Sequence, residues 1–144
     1  MVNAVKWETP NSRTTSIAGA NLIAGANLLS DAIDNATNKD RYVALEMAWT
    51  NSGIASATGS CVEMYLLYAQ DGTNYEDGGA AVDPQKDFED VFRNRGVSGS
   101  FQRQDIPNIF INPFPFKVLL KSEFTAGAAT GLTLTAHTYN EEIQ

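Results

Sequence analysis

The stretch RYVALEMAWT (41–50) alternates without a break: Val43, Leu45, Met47 and Trp49 are apolar, with Tyr42, Ala44, Glu46, Ala48 and Thr50 between them. Successive strand side chains point to opposite faces, whereas a helix needs apolar positions three and four apart. The segment therefore predicts a strand with one face in a core. A second stretch, CVEMYLLYAQ (61–70), carries Val62, Met64, Leu66 and Tyr68 at the same spacing, and its other face holds Tyr65 and Leu67. Apolar on both faces, it is expected to be covered on both sides and to lie inside a sheet rather than at its margin.

Turn chemistry separates these segments. NSGIASATGS (51–60) is too polar and glycine-rich to pack, and Asp71-Gly72 and Gly78-Gly79 supply tight or flexible points after the second strand. DFEDVFRN (87–94) predicts a short strand with Phe88 and Phe92 in register, and the polar RGVSGSFQRQD (95–105) reads as a connection. Pro107, Pro113 and Pro115 cannot donate to a ladder, so the run 106–124 divides into a short edge-like piece and a strand with Phe116, Val118 and Leu120 on one face. In LTLTAHTYN (132–140) Leu132, Leu134 and Ala136 are expected inward, with Thr133, Thr135, His137 and Tyr139 outward.

The early chain contains IAGAN twice, at 17–21 and 23–27, too few copies for a solenoid. Its glycines and asparagines argue for an extended segment with bends rather than a helix, with a strand over 27–33. Short strands parted by Gly, Asn and Asp turns, with no helix–strand alternation, define the fold class: all-β, a β-sandwich of jelly-roll type with an extended N-terminal arm. The arm is expected over residues 1–20, because Pro10 and a polar run part Trp7 from the first apolar cluster. Residues 21–144 form the sandwich domain.

Composition narrows the functions. A net charge of −7 repels phosphate backbones and anionic headgroups, so neither nucleic acid nor a membrane surface is an expected partner. The first residues lack the apolar run and cleavage site of a secretory signal, and no segment reaches the length of a membrane span. The triplet Asn35-Ala36-Thr37 fits the glycosylation pattern only by chance in that setting. Cys61 is the single cysteine, so no intrachain disulfide exists, and it reads as a small buried strand residue.

Catalytic constellations are hard to assemble. The one histidine, His137, stands on an outward strand face with no nucleophile beside it in sequence, and one Cys with one His is too few ligands for zinc. The acidic loop with Asp71, Glu76 and Asp77 invites a calcium reading, but Thr73 and Tyr75 occupy the third and fifth positions, where oxygen ligands belong. Glu46 and Glu63 form the one carboxylate pair worth testing for glycoside hydrolysis. The expectation is therefore a chain that is not an enzyme, with no cofactor and no metal. The remaining signal is aromatic. Trp7, Tyr42, Tyr65, Tyr75, Phe101, Phe114 and Tyr139 fall in loops or on outward faces, where they serve as interface anchors or stack on sugar rings.

The phrase YLLYAQDGTNYEDGG (65–79), a strand running into a DGTNYED turn, resembles one found in small tailed-bacteriophage virion proteins. AIDNATNKDRYVALEMAW (32–49), INPFPFKVLLKSEFTAG (111–127) and LTLTAHTYNEEI (132–143) are similar to the same group, so the resemblance spans about residues 30–143. The IAGAN pair falls outside it. The resemblance implies a β-sandwich virion structural protein of the capsid decoration (cement) type. Such a protein is made in the host cytoplasm and placed on the capsid surface, with the major capsid protein and its own copies, as a homotrimer, for partners. Interface residues expected are Trp7, Tyr75, Phe114 and Tyr139. A carbohydrate-binding module of a tail fibre or baseplate is the alternative.

Overall fold

The computed structural model describes residues 5–7, 13–56 and 59–143, with side chains placed for 14–56 and 59–141. These residues form ten strands: β1 (Val5–Trp7), β2 (Arg13–Ile23), β3 (Asn27–Leu29), β4 (Tyr42–Ser52), β5 (Cys61–Tyr68), β6 (Asp90–Arg93), β7 (Phe101–Phe110), β8 (Phe116–Ser122), β9 (Ala128–Tyr139) and β10 (Glu141–Ile143). The first sheet has the order β2-β9-β4-β7 and the second β3-β8-β5-β6; β1 pairs with β10 apart from both. Every pairing is antiparallel.

One rule generates most of this order. β1 pairs with β10, β2 with β9, β3 with β8, β4 with β7 and β5 with β6. That is a single long hairpin whose tip is the β5–β6 connection. Folding the hairpin over on itself adds the pairs β9–β4 and β8–β5 and lays the two sheets face to face, a β-sandwich as the alternation predicted.

The core is the set of inward positions read from the sequence: Val43, Leu45, Met47 and Trp49 from β4, Val62, Met64 and Leu66 from β5, Phe116, Val118 and Leu120 from β8, and Leu132, Leu134 and Ala136 from β9. Each large side chain so buried contributes about 1.5–3 kcal/mol, which makes the sandwich interior the main source of stability. The double coverage expected for β5 is real. Tyr65 and Leu67 pack with Leu119 in a second buried cluster on the outer face of the second sheet. The segment 69–89 roofs that face. A Cβ on Gly78 would stand 3.1 Å from Leu67 Cδ1, and Asn27 Nδ2 donates to the Gly79 and Val82 carbonyls and to Asp83 Oδ1.

Three expectations need correction. The arm does not extend over residues 1–20: Arg13–Ile23 is an edge strand of the first sheet, with Ile17 buried in the core. Its alternation is hidden by three register shifts against β9, and Gly19 at φ 67° falls within them. Residues 1–4 and 8–12 of the expected arm lie outside the described residues; Val5–Trp7 pairs with Glu141–Ile143 in a ribbon separate from both sheets. The polar stretch before Pro107 is likewise no loop, since β7 begins at Phe101. Its inward Gln102 and Gln104 reach the backbone of β6 and its exit: Gln104 accepts from Arg93 N and donates to Arg93 O, and Gln102 accepts from Arg95 N. The strand expected over 27–33 is Asn27–Leu29, followed by an isolated bridge at Ile33.

Each sheet margin is blunted against further strand addition. β2 carries bulges, β3 has three residues, β6 is covered by the two glutamines, and β7 holds Pro107 in a bulge where Asn108 adopts φ 60°.

Candidate functional site on the open face of the first sheet

With the second sheet roofed, the outer face of the first sheet is the broad strand surface left open by the described residues. Antiparallel register fixes its layout, because paired residues point to the same side. Tyr139, Tyr42 and Phe110 form one row, from the registers Tyr42↔Tyr139 and Tyr42↔Phe110. His137 and Ala44 form the next, and Thr135, Glu46 and Asp105 the third. Thr133, Ala48 and Arg103 follow, and Phe101 lies opposite Thr50 at the far end.

The first row is an aromatic cluster. Tyr42 stacks on Tyr139 at 5.8 Å between centroids with 21° between planes, and meets Phe110 edge to face at 6.1 Å and 84°. Tyr139 is buried, its hydroxyl donating to Asn108 Oδ1 and accepting from Asn108 N, which ties the β7 bulge to β9. The Tyr42 hydroxyl donates to Glu141 Oε1 at 3.1 Å, and that hydrogen bond raises its pKa. Phe110 remains 60% exposed.

Below the cluster the small side chain of Ala44 leaves a depression of about 330 Å³, lined by Glu46, Asp105, Pro107 and His137. Glu46 and Asp105 lie directly opposite on neighbouring strands, an arrangement that destabilises a sheet. Arg103 Nε approaches Glu46 Oε1 at 3.8 Å. The face thus sets two carboxylates and an imidazole around a shallow floor, with an exposed ring in the row above and a guanidinium in the row below.

The expected interface residues are not brought together. Tyr139 is on this face but covered by Tyr42. Tyr75 belongs to the roof over the second sheet, half-buried, with Lys117 Nζ 4.5 Å from its ring centroid. Phe114 is half-buried against the core from the β7–β8 connection, and the side chain of Trp7 lies outside the described residues. Asp105 and Arg103 were missed because the start of β7 reads as a polar connection, and Phe110 because its run, broken by prolines, reads as a short edge-like piece.

Other sequence candidates resolve individually. Glu46 is on the outer face of the first sheet and Glu63 on that of the second, where it accepts from the Tyr65 hydroxyl, so the two cannot flank one bond. Asp71 spends its carboxylate on its own turn, accepting from the backbone N–H groups of Thr73 and Asn74 and from the Asn74 side chain. Glu76 accepts from Tyr68 N and pairs with Lys86 at 3.3 Å. Among the described residues no group of three or more His, Cys, Asp or Glu side chains is placed to hold a metal ion. Burial raises the pKa of the Cys61 thiol, with Glu63 and Glu123 adding to the shift. Asn35 of the glycosylation triplet is fully buried, its amide donating to the carbonyls of Asp40 and Asn112.

Comparison with protein-family models, with curated proteins and with solved structures returned no match.

Proposed function

We propose that this chain is a non-enzymatic virion structural protein of a tailed bacteriophage, a capsid decoration protein that binds the outer surface of the major capsid shell and stabilises it as a homotrimer. In this reading the wrapped hairpin is a jelly roll. The observation that carries it is the ribbon of Val5–Trp7 with Glu141–Ile143, a two-stranded sheet of its own that is tied to the first sheet by the hydrogen bond from Tyr42 to Glu141. A two-stranded ribbon has backbone groups on both margins with which a neighbouring subunit can pair. The blunted margins of the main sheets favour contact through this ribbon over strand addition elsewhere. The resemblance of the strand-to-DGTNYED turn to virion proteins supports the same reading. Cementing requires many copies of a modest contact, and symmetry multiplies them.

The test compares the full chain with residues 13–144 by co-sedimentation with emptied heads of the phage that encodes it, alongside light scattering. The full chain is expected to be trimeric and to co-sediment. The shorter chain is expected to keep its β circular-dichroism spectrum and to stay in the supernatant. A full chain that is monomeric and ignores heads would sink the proposal.

A further inference from the structure

The open face of the first sheet is not used by the shell contact proposed above, and its chemistry is specific. Phe110 offers an exposed ring at one end, and Ala44 opens a floor beside it, bounded by Glu46, Asp105, Pro107 and His137. Along β4 the distance from the Tyr42 row to the Glu46 row is roughly 14 Å at the usual rise per residue, so the surface accommodates more than one small ring. A larger cavity at the β2–β3 turn offers less. There Lys121 and Glu123 pair with each other at 3.0 Å, and the Ser122 hydroxyl is already bonded to backbone groups of the β2–β3 turn.

The groups present select an occupant. Two facing carboxylates and a net charge of −7 repel anions, which excludes phosphorylated and acidic ligands. A second copy laid face to face would set its own Glu46 and Asp105 against this pair, a juxtaposition of like charges that opposes association. A neutral sugar meets both demands. Its C–H face stacks on an aromatic ring, its vicinal hydroxyls donate to the carboxylates in charge-assisted hydrogen bonds, and the imidazole adds a further hydrogen-bonding group. The facing Glu46 and Asp105, costly to the sheet by themselves, then have a use as paired acceptors. The depression also has the size and the few convergent polar groups of a small-molecule site.

We propose that this face binds a neutral oligosaccharide, with one ring seated on Phe110 and hydroxyls directed at Glu46, Asp105 and His137. The test presents the full chain to an array of neutral gluco-, galacto-, manno- and N-acetylhexosamine oligosaccharides, then titrates the best hit by calorimetry. Phe110→Ala is expected to weaken binding about tenfold, the scale of one lost aromatic contact. Asp105→Asn weakens it further than Phe88→Ala, a control on the roofed side that leaves it unchanged. Ala44→Trp fills the floor and abolishes binding while head co-sedimentation persists, which separates this site from the shell contact. No hit at millimolar sugar would overturn the proposal, as would a hit indifferent to both Phe110→Ala and Ala44→Trp. An oligomer that Ala44→Trp dissolves would mark the face as a protein interface and overturn it equally.

Discussion

Replacing Asn35 separates hydrogen-bond direction from side-chain volume. Asn35 is fully buried, and its amide closes three bonds: Oδ1 accepts from Asp40 N at 2.8 Å, and Nδ2 donates to Asp40 O at 2.9 Å and Asn112 O at 2.7 Å. Asp40 is itself buried, so Asn35→Ala strands one N–H and one carbonyl where water does not replace the partner; Asn112 is exposed and recovers its bond from solvent. At about 1–3 kcal/mol for each stranded group, the loss is about 4 kcal/mol. That corresponds to a fall in melting temperature on the order of 10 °C for a domain of this size. Asn35→Asp conserves volume and keeps the bond from Asp40 N, but turns the other oxygen toward two carbonyl oxygens that previously accepted. It is expected to destabilise at least as much as Asn35→Ala, and to recover partly in acid, when the carboxyl regains one proton to donate. Thermal melts followed by circular dichroism decide the matter. An Asn35→Asp protein melting within 2 °C of the parent would refute the argument, since only size would then count.

Two further predictions concern backbone and turn. Gly127 sits at φ 83°, and a Cβ there would lie 2.5 Å from Gly53 C and Ile54 N; Gly99 at φ 79° has open space. Gly127→Ala should therefore cost about 2–4 kcal/mol and Gly99→Ala about 1–2 kcal/mol in urea unfolding, and equal losses would show that the clash relaxes freely. The backbone N–H groups of Asn74 and Thr73, with the Asn74 side chain, hold the Asp71 carboxyl down to about 2 from 3.8. The folded pKa is depressed, so the turn's contribution is whole above about pH 4 and lost as pH falls through about 2. NMR shifts of the Thr73 and Asn74 amides should titrate with a midpoint near 2, and a midpoint near 4 would deny the bonds.

The parts of the fold visible in the sequence are those where packing alone chooses the residue. In β4, β5, β8 and β9 the inward positions are apolar at period two because they meet only one another across the sandwich. β7 was hidden because two of its inward positions are glutamines, chosen to bond the backbone around β6 rather than to fill space. β2 was hidden because bulges reset its alternation, and a polar edge strand with glycines looks like a tether. The site suffered from the same blindness. Tyr139 and His137 were correctly placed on an outward face, but Ala44, Asp105 and Phe110 gain meaning only when the register sets β4 between β9 and β7. Nor does any local signal tell an exposed aromatic from one lying under its neighbour, as Tyr139 lies under Tyr42.

The hairpin that wraps on itself also sets the order of events during folding. Its tip, β5 against β6, joins Met64 to Asp90, whereas β2 against β9 joins Thr14 to Ala136. Closing a loop grows entropically harder with its length, so zippering outward from the tip is the accessible route, and the distant pairs wait for it. A chain emerging from the ribosome must hold β2, β3 and β4 unpaired until β7, β8 and β9 have been made. During that interval the alternating faces of β4 and β5 are bare, open to any neighbouring copy until their own partners arrive.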